Sequence, residues 1–180
     1  GDAPYYDLAG LHLARAVELD PRLPSAREEL ALYNTKLGRS EEALALLVEG
    51  IERNPSYAGF HDTRGYLLRY AGWARESIAS YQRAQELDPR PANLVSTQDQ
   101  ITKSHIYLGE YAEALASHER VGSLLGEMGR PATEKEHFYG GVIHLYAGDR
   151  DAAVASFREG RAVDPGTVWS TFGEGYEGIA

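Results

Sequence analysis

Histidine is the residue type in this chain with the most to offer chemistry. His105 and His144 each stand four residues before a glycine, Gly109 and Gly148, and His137 lies two helical turns before His144. Imidazoles brought near one another can bind a metal. A site without cysteine would also need convergent carboxylates, so these three histidines read better as half-buried packing residues, and no metal is expected. No nucleophile, base and orienting group stand in a recognisable spacing, and there is no HExxH pair. The segment "GEGYEG" near the C-terminus lacks the lysine and the preceding strand of a phosphate-binding loop and reads as a fraying helix end. With no cysteine at all, thiolate nucleophiles, disulfide frameworks and Cys-based zinc sites are excluded, and the redox compartment stays open. The expectation is a chain that is not an enzyme and holds no cofactor.

Composition narrows the partners. Lys plus Arg total 18 against 27 Asp plus Glu, a formal charge of −9, so no global field draws phosphate backbones and no nucleic acid is expected. The longest apolar run, Ala43 to Val48, is far short of the ~20 residues that span a bilayer, so no membrane insertion is expected of this segment. The chain opens on Gly1-Asp2 without a methionine and closes at Ala180 inside an unfinished pattern, which suggests a region excised from a larger protein.

Functional side chains would be positioned by a repeat. Asp20-Pro21, Asn54-Pro55 and Asp88-Pro89 recur at 34 residues, with a fourth such dipeptide at Asp164-Pro165. Gly38, Gly72, Gly109 and Gly148 each separate two apolar helical patterns, where a left-handed glycine would end one helix before the next begins. Five residues past each glycine stands a small residue, Ala43, Ser77, Ala114 or Ala153, and seven further on come Gly50, Ala84, Val121 and Gly160. Small side chains at that spacing let two helices approach closely. No segment alternates as a strand would, so the fold class is all-α.

On these residues the chain resembles the tetratricopeptide repeat family over nearly its whole length. Gly65 and Gly141, with Ala31 and Thr102, occupy the family's small position in the first helix of a hairpin; Tyr81 and Phe157, with Leu13 and Leu47, occupy its large position in the second. Trp169, Phe172, Gly173 and Tyr176 have the family's first-helix spacing. Arg27, His61, Gln98 and His137 depart from it, standing where a large aromatic is common, and Arg64 and Gly140 replace a usual leucine. The resemblance implies one α-α superhelix over 1–180, with a half repeat at 1–23, hairpins at 24–57, 58–91, 95–125 and 134–165, and a terminal half repeat at 166–180. The stretches "PRPANLVS" and "GEMGRPATE" hold the insertions, and the second is the expected flexible joint.

The resemblance also implies a concave surface lined by first helices, which would bind a protein or peptide. Its inward positions include Glu28 and Lys135, and the expected contact residues are Asp62, Tyr66, Arg69, Tyr70, Lys103, Tyr107, Phe138 and Tyr146. Tyr70, Tyr107 and Tyr146 each stand two residues before a hairpin glycine, either exposed as an aromatic ladder or packed as caps on the turn. Arg69 and Lys103 add positive charge beside them, as binding groups or as a merely solvated face. The family's Lys, Asn and Arg clamp for chaperone C-termini is missing, because its places read Glu28, Leu32, Thr63, Ser96 and Gln100. Two other functions share this architecture: a regulatory or substrate-docking arm of a larger enzyme, and self-association, including a homodimer, through the terminal half repeats.

Overall fold

In the computed structural model, which describes the backbone of residues 3–179 and the side chains of residues 8–179, the helix ends follow the glycines. Gly38, Gly72, Gly109 and Gly148 all have positive φ, between 72° and 88°. The residue after each glycine donates its N–H back across the turn: Arg39 to the Asn34 carbonyl at 2.9 Å, Trp73 to Leu68 at 2.8 Å, Glu110 to His105 at 3.0 Å and Asp149 to His144 at 2.9 Å. This is the Schellman closure, which satisfies the last free carbonyls of a helix and needs a left-handed residue. Among the described residues there are ten helices and no strand. They are α1 (Ala3–Leu19), α2 (Pro24–Lys36), α3 (Ser40–Arg53), α4 (Ala58–Tyr70), α5 (Ala74–Leu87), α6 (Pro91–Leu108), α7 (Tyr111–Glu127), α8 (Glu134–Ala147), α9 (Arg150–Val163) and α10 (Val168–Glu177).

Helices α2 with α3, α4 with α5, α6 with α7 and α8 with α9 form the four hairpins, while α1 packs on α2, and α10 on both α9 and α8. Each crossing is set by size complementarity. Ala43, Ser77, Ala114 and Ala153 are wholly buried, as are Ala31 and, but for a trace, Thr102. Opposite the small first-helix positions lie Leu47, Tyr81 and Phe157, all buried. A Cβ at Gly65 would stand 2.9 Å from the Tyr81 ring, and one at Gly141 would collide with the ring of Phe157. Ala114→Leu should therefore overpack the α6–α7 crossing and lower stability by about 1 to 3 kcal/mol, whereas Glu41→Gln, at an exposed position of α3, should leave the melting curve in place.

The first insertion is largely helical, while the second leaves residues 128–133 between helices. Helix α6 begins at Pro91 in the first helical turn, where a missing N–H costs nothing, so most of "PRPANLVS" is helix and α6 reaches 18 residues. Helix α7 runs to Glu127, and Gly129, with φ 67°, closes it in the same way as the hairpin glycines. The chain divides into two compact units, 1–89 and 90–180, so the boundary falls at the first insertion and the second lies inside the C-terminal unit. No helix of the described residues is long and apolar enough to cross a membrane.

Candidate functional site

In the unit formed by residues 1–89, the first helices are α2 and α4. Asp62, Tyr66, Arg69 and Tyr70 recur at helical spacing and so share one side of α4. Tyr70 is 64% exposed, and its ring centre lies 4.6 Å from that of Tyr66. Arg69, expected from the sequence to add positive charge at a binding surface, is only 6% exposed. The cause is its place one turn beyond Gly65, the residue the Tyr81 ring lies over. The guanidinium sits above the Tyr70 ring at 4.7 Å and the Tyr66 ring at 5.6 Å, beside the buried Tyr81. It is a packing cation.

The side of this unit that remains polar is acidic. The Tyr57 hydroxyl donates to Glu28 at 2.6 Å and the Thr63 hydroxyl at 3.5 Å. Burial raises the Glu28 carboxyl above its usual range in spite of these bonds. Burial also pushes the Asp62 carboxyl up to about 6, and the neighbouring Glu28 adds to the effect. Farther along the same two helices, Thr35, Lys36, Tyr66, Leu67 and Tyr70, with Ser40 at the start of α3, line a cavity of about 340 Å³.

A carboxyl raised in the folded state keeps its proton where the unfolded chain has lost it, so stability falls as pH rises through that interval. For Asp62 the interval runs from its ordinary value of 3.8 to about 6. Asp62→Asn removes the cost of ionisation and should raise the melting temperature at pH 7.5, by about 2 to 4 °C for each kcal/mol recovered. At pH 4 the variant and the parent should melt together. Thermal scans at the two pH values check the sign.

In the unit formed by residues 90–180, the first helices are α6, α8 and α10. The Asp99 carboxylate accepts from Lys103 at 2.8 Å and from Lys135 at 3.1 Å, which ties α6 to α8. Burial alone would raise the Asp99 carboxyl, but the two ammonium groups overcome it and hold the carboxyl below its usual value. Lys103 also lies 5.0 Å from the centre of the Tyr139 ring, and Lys135 6.0 Å. Glu136, near Lys135, is engaged in capping α8, accepting from the Thr133 N–H at 2.9 Å. Lys135 also lies 3.9 Å from the Glu136 carboxylate, so two cations stand among two carboxylates. Beyond them Tyr107 is 66% exposed and Tyr146 55% exposed. Of the alternatives for the tyrosines, the structure takes exposure, although Tyr146 stacks at 5.8 Å on Tyr111, the first residue of α7. Tyr111 and Tyr139 carry no repeat signature and are not legible as site residues beforehand.

Phe138, expected on the binding surface, is instead packed. Its ring lies 5.4 Å from Trp169, 5.8 Å from Tyr176 and 6.1 Å from both Phe157 and Phe172. The reason is α10, which packs onto α8 where an inner surface is expected. The histidines are half-buried, with His105 Nδ1 2.9 Å from Glu110 and His137 Nδ1 3.4 Å from Glu159. Among the described residues no three His, Asp or Glu side chains group so as to hold a metal ion. A fourth imidazole, His118, takes the large position of its hairpin against Gly140, and burial lowers its pKa.

Comparison with known proteins bears on the fold. Residues 58–91 match the sequence model of the tetratricopeptide repeat, and no curated protein matches the chain. A thermophilic tetratricopeptide protein of Thermus thermophilus is similar in structure, with TM-score 0.76, 22% identity and coverage of 97% of this chain and 91% of its own. YrrB, a tetratricopeptide protein with an unusual peptide-binding site, gives TM-score 0.69 at 16% identity over 96% of this chain and 85% of its own. A chain of the APC/C hetero-tetramer Cut9–Hcn1 gives 0.79 at 14% identity over 93% of this chain and 32% of the other. Such identities establish likeness of fold alone. With its glycine-closed hairpins, small-to-large crossings and a segment at 58–91 that matches the tetratricopeptide repeat, the chain has the all-α hairpin fold of tetratricopeptide proteins.

Proposed function

We propose that the chain is a protein-interaction scaffold without catalytic chemistry of its own, whose first helices hold an extended or helical segment of a partner protein. The observation that carries the reading is the pair of exposed tyrosines, Tyr107 and Tyr146, in the same unit as the Lys103–Asp99–Lys135 group. Tyrosine offers broad contact area at low conformational cost and a hydroxyl for the partner's backbone. The Lys103 and Lys135 ammonium groups offer an acidic side chain of the segment a charged contact at α6 and α8. That YrrB is a tetratricopeptide protein with a peptide-binding site is further support.

Affinity should be about micromolar, because a segment disordered when free must be ordered on binding. The test is a pull-down with this chain as bait, followed by calorimetry of the captured partner against variants. Tyr107→Ala and Tyr146→Ala should each weaken binding by about 1 to 2 kcal/mol, while Arg83→Ala and Glu119→Ala, at exposed positions of the second helices α5 and α7, should not. Binding lost only in the second-helix variants, with the tyrosine variants folded and fully active, overturns the proposal.

A further inference from the structure

We infer that residues 1–89 carry a second recognition site of opposite charge, in which the Glu28 and Asp62 carboxylates seat a lysine or arginine of an extended partner segment whose apolar anchor enters the cavity beside Tyr66 and Tyr70. The inference rests on the reading of the chain as an interaction scaffold, but it assigns a different surface and the opposite chemistry.

The carboxylates are placed rather than scattered. Glu28 is held by the hydroxyls of Tyr57 and Thr63 and fits against α4 because residue 59 is a glycine, where any Cβ would meet its carboxylate. Asp62 lies half-buried on the facing helix, and the charged group that acts on it is another carboxylate, Glu28. On α2, Glu29 adds a third negative charge near Glu28. Of the nearby cations, Arg69 is spent among the tyrosine rings, and Lys36 stands at the cavity, two turns along α2 from Glu28. A further polar group is left over: the Tyr81 hydroxyl is fully buried, lies near Asp62, Tyr66 and Arg69, and makes no hydrogen bond of ordinary geometry. Two desolvated carboxyl groups held together favour protonation or a cation between them. A partner's ammonium or guanidinium supplies that cation, and the chain's formal charge of −9 steers a basic segment toward it. The same charge disfavours a second copy of this chain as the occupant.

The spacing makes the proposal specific. Tyr70 is two turns beyond Asp62 on α4, about 12 Å at about 1.5 Å per residue. An extended chain advances about 3.3 Å per residue, so the basic side chain and the apolar anchor stand about three to four positions apart in the partner.

The experiment uses the 180-residue chain and a set of synthetic, capped, fluorescein-labelled decapeptides that combine one arginine with one leucine or phenylalanine at separations of one to six residues. Matched peptides carry glutamate in place of arginine. Fluorescence anisotropy at pH 7.5 should select the arginine peptides, with tightest binding at a separation of three or four. Asp62→Asn and Glu28→Gln should each weaken that binding about tenfold, and lowering the pH from 7.5 to 5.5 should weaken it in the parent and little in Asp62→Asn. Both variants keep the shape of the side chain, and a melting curve confirms that each is folded. Peptides that bind with Asp62→Asn, Glu28→Gln and pH all without effect, but are lost with Tyr107→Ala, overturn this site and leave the scaffold reading standing. Preference for the glutamate peptides with loss in Asp62→Asn overturns the charge assignment. If no peptide of the set binds, the site as specified is overturned, while the scaffold reading stands or falls with its own captured partner.

Discussion

Phe157→Ala should destabilise the chain by about 3 to 5 kcal/mol, the largest effect expected of any single truncation here. The ring is almost completely buried, covers the small position at Gly141, and lies against Phe138 at 6.1 Å and Tyr176 at 5.8 Å. Removing it forfeits the transfer of the ring from water and leaves a cavity that the α8, α9 and α10 backbones cannot fill without breaking their crossings. Denaturant titration reads the loss, and amide exchange should place it in residues 134–177. A variant within about 1 kcal/mol of the parent would mean that α8 and α9 do not pack through this ring.

The second large effect separates two cations that look equivalent in the sequence. Arg69→Ala should cost about 2 to 4 kcal/mol, because it removes a buried stem and a guanidinium from between the Tyr66, Tyr70 and Tyr81 rings. Lys103→Ala should cost about 1 kcal/mol, since Lys135 remains within 3.1 Å of Asp99 to keep that carboxylate paired. On binding the order reverses: Lys103→Ala slows association with an acidic segment and flattens its salt dependence, while Arg69→Ala acts through stability alone. Denaturation and stopped-flow association on the two variants check both halves. Equal losses of stability would show that Arg69 is solvated after all.

The contrast between these two residues shows what was legible in advance. Hairpin boundaries could be read because Gly38, Gly72, Gly109 and Gly148 meet a backbone requirement that few residues satisfy, and helical crossings because Ala43, Ala114 and Ala153 leave no room for anything larger. Both are constraints within one hairpin. The fate of Arg69 depends on a ring from the following helix, and that of Phe138 on four rings from α9 and α10, so local periodicity presents both as available surface. Pro91 misleads in another way, since a proline within an insertion suggests a loop but suits the first turn of α6. His118 was within reach. It follows Thr102 by the same interval that separates Tyr81 from Gly65 and Phe157 from Gly141, which places an imidazole where those two hairpins put an aromatic ring and the first puts Leu47.

The central claim is that the first helices present the binding face, and hydroxyl-radical footprinting of the chain with its captured partner tests it most directly. Tyr107 and Tyr146 are more than half exposed in the free chain and should be labelled there. In the complex both should be protected, with labelling unchanged on the exposed faces of the second helices α5 and α7. Protection confined to α5 and α7, with Tyr107 and Tyr146 labelled as in the free chain, would contradict the account and put the partner on the second helices.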